Sequence, residues 1–203
     1  MTASTSTRIA AFVLGIAAMG CGDDSSTSAD AAVDALGDSD ASNPDAPPID
    51  AMHPSGSWEL TGSPNGIDLD AETRSAIVRT TGDGRTLITL SNLSDLCAKQ
   101  LASPGCPGAG AAHWTLEIAL VDTAPGDYPV DSPGDLHPPI GKSSVALTRR
   151  TATCAAEFAP YVATAGVTQV TSIPTNGAAD LTVAWTMTGG TTVMGSISAP
   201  RCD

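Results

Sequence analysis

Apolar residues in the second half of this chain recur at every other position, and that period of two most constrains what it can fold into. From His113 to Asp122, Trp114, Leu116, Ile118 and Leu120 fall on one side and Thr115, Glu117 and Ala119 on the other. This is a strand with one face on a core and one toward water. Leu181, Val183, Trp185 and Met187 repeat the pattern, as do Trp58 and Leu60 near the start of the folded part. Ala76 to Thr80 and Thr86 to Ser91 flank Gly82-Asp83-Gly84, whose glycines accept positive φ, so these runs should form a hairpin. Val145 and Leu147 restart a strand running toward Cys154. Val167 to Ile173, Leu181 to Met187 and Val193 to Ala199 read as a closing meander, turning at Pro174 to Gly177 and at Gly189-Gly190. The expected fold is mainly β, an antiparallel sandwich or small barrel of about seven or eight strands. One short helix interrupts it between Ser94 and Ser103, with Leu93, Leu96, Cys97 and Leu101 on one face and Pro104-Gly105 forcing the stop. Asn65 to Arg74 reads as a polar loop, and Thr123 to Lys142 as a long Pro- and Gly-rich one.

The chain divides into residues 1–20, 21–56 and 57–203. The first carries the uncharged run Ile9 to Met19 behind Arg8, which is too short to span a bilayer and has the length of a signal-peptide core. The second has eight Asp, no base and few large apolar residues, so it cannot bury enough surface to offset its ordering entropy and should be a disordered tether. As a flexible coil it would average about 30 to 35 Å end to end. The third holds fourteen acids against eight bases, within a formal charge of −13 for the whole chain. No region is basic, so nucleic acid is not an expected partner.

Ala18-Met19-Gly20-Cys21 stands where bacterial lipoprotein precursors have their lipobox, and the chain resembles that family here. Ala18 occupies the position where the family usually has Leu. The resemblance implies cleavage before Cys21, lipidation of that cysteine and anchoring to a membrane, with the outer membrane or cell surface favoured. Two or three acyl chains give stable anchoring where one is marginal. The alternative is an ordinary secretory signal cut after the same small residues. The ending Gly195-Ser-Ile-Ser-Ala-Pro-Arg-Cys202, with the Asp-rich tether, resembles uncharacterised lipoproteins of myxobacterial type, a family that implies no agreed activity.

Four cysteines remain in the domain: Cys97, Cys106, Cys154 and Cys202. An even count in an exported domain argues for disulfides, and of three connectivities Cys97 with Cys106 and Cys154 with Cys202 is expected. No Cys or His pair has zinc-ligand spacing.

No catalytic signature stands out: Gly-x-Ser-x-Gly, Ser-x-x-Lys and His-Glu-x-x-His are all missing, and no cofactor motif is recognisable. Gly141-Lys142-Ser143 lacks the glycine spacing of a phosphate loop. The reading is therefore a non-enzymatic lipoprotein that binds a partner or plays a structural part at the cell envelope. One alternative is a hydrolase using the 123–142 loop, with His137 beside Asp135 or Asp131. Another is a calcium-stabilised adhesion module, with ligands from Asp68, Asp70 and Glu72 or from Asp122, Asp127, Asp131 and Asp135. Trp58, Trp114 and Trp185 fall in the apolar register and are expected in the core.

Overall fold

The computed structural model describes residues 55–131 and 135–202, so the signal, Cys21 and the tether up to residue 54 lie outside the described residues. Among the described residues nine strands follow one another: β1 (Ser57–Thr61), β2 (Ser75–Thr80), β3 (Thr86–Ser91), β4 (His113–Leu120), β5 (Gly126–Pro129), β6 (Ser143–Arg150), β7 (Tyr161–Ser172), β8 (Ala179–Met187) and β9 (Thr192–Ala199). They pair in the order β1-β9-β8-β7-β6-β4-β3-β2, every neighbour antiparallel, with β5 added against β7. The result is a nearly closed barrel.

β7 makes the corner. Its first residues, Tyr161 and Val162, pair with Leu147 and Ala146 of β6, while Ala163 to Ser172 run along β8. Register shifts at Ala163/Ala165 and Val170/Ser172 mark the irregularities that let so long a strand bend between two neighbours.

The ends of the path, β1 and β2, meet at a seam closed by other segments. Ala76 N–H of β2 donates to Ser55 O at 2.7 Å and Val78 N–H to Pro200 O at 2.8 Å, while Cys202 N–H donates back to Val78 O at 2.8 Å. The chain leaving β9 thus runs parallel to β2, bridging Val78 and Arg201. On the β1 side, Asp70 Oδ1 accepts from Leu60 N–H at 3.1 Å, satisfying an edge donor that would otherwise lack a partner.

Asp70 belongs to a helical turn that the polar-loop reading of Asn65 to Arg74 missed. A 3-10 turn at Pro64–Gly66 leads into α1 (Leu69–Glu72). Asp68 caps α1 by accepting from Ala71 N–H, and Glu72 Oε1 accepts from Asp68 N–H at 3.0 Å. Only Ile67 and Leu69 in this stretch are large and apolar, and both are fully buried. Two anchors are enough to seat the segment, but too few to show a helical period.

α2 (Leu96–Ala102) is the expected helix, shifted in face: Leu96, Cys97 and Gln100 are buried and Leu101 is 53 % exposed. Ser94 does not cap it; Asp95, at φ 54°, precedes the first turn. β5 is the unexpected strand, four residues with a Gly and a Pro that carry no apolar alternation.

Alternation does the rest. Trp114, Leu116, Ile118 and Leu120 of β4 meet Ile88 and Leu90 of β3, Val145 and Leu147 of β6, and Leu181, Val183, Trp185 and Met187 of β8 in one core filling the interior. A chain of buried hydroxyls crosses it. Trp185 Nε1–H donates to Thr168 Oγ1 at 3.1 Å, Thr168 donates to Ser143 Oγ at 3.1 Å, and Ser143 donates to Tyr128 O at 2.9 Å. Every link is used, which lets polar groups sit inside without an unsatisfied donor.

The disulfide pairing differs from the expected one. Cys97 bonds Cys202 with Cα atoms 5.5 Å apart, and Cys106 bonds Cys154 at 5.6 Å. Cys97 lies on the buried face of α2 with Ile77 of β2, Leu93 and Leu96, and the segment after β9 brings Cys202 into that same small cluster. Cys106 lies beyond the helix stop, where Gly110 N–H reaches Ala152 O at 2.9 Å and the loop after β6 presents Cys154. Two such bonds belong to an oxidising, extracytoplasmic compartment.

Candidate functional site

The 123–142 loop brings part of its expected set together. His137 Nδ1 lies 3.0 Å from Asp135 Oδ1, and Nε2 lies 3.8 Å from Asp83 Oδ2 in the β2–β3 turn. Arg85 ties the two segments, bonding Asp83 at 2.8 Å and donating to Leu136 O. Hydrogen bonds from Thr81 and Arg85 hold the Asp83 carboxyl down at about 2. His137 thus faces carboxylates from both ring nitrogens and is 65 % exposed. Among the described residues no hydroxyl or amine stands in hydrogen-bond contact with it.

The acidic calcium candidates are dispersed. Asp68, Asp70 and Glu72 are engaged with backbone N–H groups at the barrel seam. Asp122 Oδ1 accepts from Ala124 N–H and Asp127 Oδ1 from Gln169 Nε2–H. Among the described residues no three acidic, His or Cys side chains gather as a metal would need. Trp114 and Trp185 are core, and Trp58 is half-buried against it.

The outer wall of the barrel has two different halves. Over β1, β9, β8 and β7 it is open and bears hydroxyls and carboxylates: Glu59, Ser196 and Thr182 share one cross-strand row and Ser57, Ser198 and Asp180 another. A hollow of about 400 Å³ lies there. Its polar groups bond one another: Asp180 accepts from Ser198 at 2.7 Å and Ser172 at 3.2 Å, and Thr182 donates to Gln169 Oε1 at 3.1 Å.

Over β2, β3, β4 and β6 the outer face is mostly covered, so Ile77, Thr89, Thr115 and Thr148 are buried. Glu117 lies in this layer beside Thr89 and Ala146. Burial pushes its carboxyl above the ordinary 4.5, with Arg79 and Arg150 opposing the shift. A raised folded-state value means the folded chain holds this proton more tightly than the unfolded one. Its contribution is therefore fully present below about pH 4.5 and is lost as pH rises through the folded value. Urea unfolding of the parent and Glu117→Gln across acid to neutral pH should show the parent losing stability relative to the variant as pH rises. A constant difference would contradict this.

At the end of the barrel where β4 begins and β6 ends, a cleft of about 200 Å³ is lined by Glu72, Asn92, His113, Trp114, Arg149, Arg150 and Glu157. Trp114 organises it. Its backbone N–H donates to Asn92 Oδ1 at 2.9 Å, its indole N–H lies 3.4 Å from Glu72 Oε2, and Arg149 is its partner in register. Glu157 N–H donates to Arg149 O at 3.0 Å. His113 donates from Nδ1 to Ala111 O at 3.0 Å, leaving Nε2 buried without a partner among the described residues. The ring packs so closely on Gly108 that a Cβ there would overlap it.

None of Asn92, Arg149 or Glu157 stood out in the sequence. Arg149-Arg150 reads as a polar strand end, and only pairing register reveals that Arg149 shares a row with Trp114 and Arg150 with His113. Comparison with protein-family models, with curated proteins and with solved structures finds no match for this chain.

Proposed function

We propose that this protein is an extracytoplasmic lipoprotein, held to a membrane through acylated Cys21, whose barrel binds a partner at the cell envelope. The observation that carries it is the cysteine usage. All four domain cysteines are paired, and the fifth stands at the end of the uncharged run Ile9 to Gly20. A protein so tethered needs its contacts on the outside. The interior here is filled by side chains, while polar hollows open at the barrel end and on the wall of β1, β9 and β8.

Cell fractionation of a bacterial host producing the parent and Cys21→Ser tests the anchor. The parent should sediment with membranes and be released only by detergent, and Cys21→Ser should not. Equal partitioning of the two would contradict the reading.

A further inference from the structure

The cleft around Trp114 holds a guanidinium that pairs with no side chain among the described residues. Arg149 is half-buried, and its guanidinium makes no hydrogen bond or ion pair with any described residue. A guanidinium so placed, with no partner of its own, is open to an incoming anion. Among the described residues neither Glu72 nor Glu157 forms an ion pair with it. Both oxygens of Glu72 are engaged, by Asp68 N–H at 3.0 Å and by the Trp114 indole at 3.4 Å. Asn92 spends its oxygen on Trp114 N–H, which fixes the amide with its two N–H donors unused among the described residues. Glu157 is exposed, with its carboxylate unpaired among the described residues.

We propose that this cleft binds an α-amido or α-amino carboxylate, the chemistry shared by a peptide C-terminus and a free amino acid. The guanidinium offers a planar fork that matches two carboxylate oxygens, and the Asn92 amide adds donors beside it. The Glu157 carboxylate accepts from the N–H next to the bound group. Two arginines against two glutamates leave the cleft formally neutral before binding, which suits a monoanion better than a dianion such as phosphate. At about 200 Å³ it is smaller than the roughly 300–1,000 Å³ of drug-sized sites, so it takes a terminal group rather than a whole large ligand.

This inference rests on the binding-module reading. It is tested by nuclear magnetic resonance titration of the isotope-labelled mature chain with acetyl-alanyl-alanine, its C-terminal amide, free alanine and inorganic phosphate. The acid should shift the Asn92 side-chain and Trp114 indole N–H signals saturably. The amide, phosphate, and the acid titrated into Arg149→Gln should each bind about tenfold more weakly or worse, the loss expected for one charge-assisted hydrogen bond. Arg149→Lys, which keeps the charge and loses the fork, should fall between; an unchanged unfolding midpoint in either variant shows that the fold is intact. Tighter binding of the blocked dipeptide than of alanine makes a peptide end the source, and the reverse order a free amino acid. Equal binding of acid and amide, equal binding by phosphate, or no loss in Arg149→Gln would overturn the proposal. A chain acylated at Cys21 that shows none of these shifts would sink the cleft and leave the anchor standing.

Discussion

Replacing Cys97 and Cys202 together by Ala is expected to remove about 4.7 kcal/mol of stability. The bond closes a loop of 105 residues, and in the chain-entropy account the cost of releasing a loop grows with the logarithm of its length. Domains of this size have about 5–15 kcal/mol in total, so little would remain. The bond also holds the seam. Cys202 N–H donates to Val78 O, and the chain beside it bridges β2, the only strand at that end of the path. Cys106 with Cys154 closes 48 residues, so its removal should cost somewhat less, about 4 kcal/mol, and should leave the seam paired. Urea unfolding of the two double variants without reductant measures both. A Cys97/Cys202 variant as stable as the parent would contradict the closure described here.

The Gly195→Ala exchange should cost about 2 to 6 kcal/mol for a different reason. Gly195 lies in β9 opposite Leu60 of β1 and Val183 of β8 at φ +150°, and a Cβ there would fall on the Glu59 carbonyl. A strained backbone and an overpacked contact each contribute about 1–3 kcal/mol. The control is Gly84→Ala in the β2–β3 turn. At φ +82° it has open space around it, so only backbone strain of about 1–2 kcal/mol applies. Unfolding midpoints should rank parent, then Gly84→Ala, then Gly195→Ala. Equal losses would mean that β1 yields without cost at this point.

Much of the barrel is legible in the sequence because its inward residues alternate. Trp114 to Leu120 and Leu181 to Met187 carry the period, and the Gly82-Asp83-Gly84 and Gly189-Gly190 turns divide the strands where they were expected. What was not legible depends on partners distant in the chain. β5 is a strand because β7 offers it an edge, not because Gly126–Pro129 favours extension. α1 is fixed by Ile67 and Leu69 and by Asp68 and Asp70 meeting particular N–H groups. Pairing Cys97 with Cys106 follows from nearness in sequence, but closure of the barrel brings Cys202 to β2 and so to the face of α2. Arg149 stayed hidden for the same reason, since its place beside Trp114 exists only once β4 and β6 are in register.

The most direct measurement on the central claim, that this is a lipid-anchored, disulfide-closed barrel, is the intact mass of the mature protein from host membranes, alkylated without reductant, with non-reducing peptide mapping. The account predicts a chain beginning at Cys21 that carries two or three acyl chains, takes up no alkylating agent, and yields cross-linked peptides joining Cys97 to Cys202 and Cys106 to Cys154. An unacylated chain, or peptides joining Cys97 to Cys106, would contradict it.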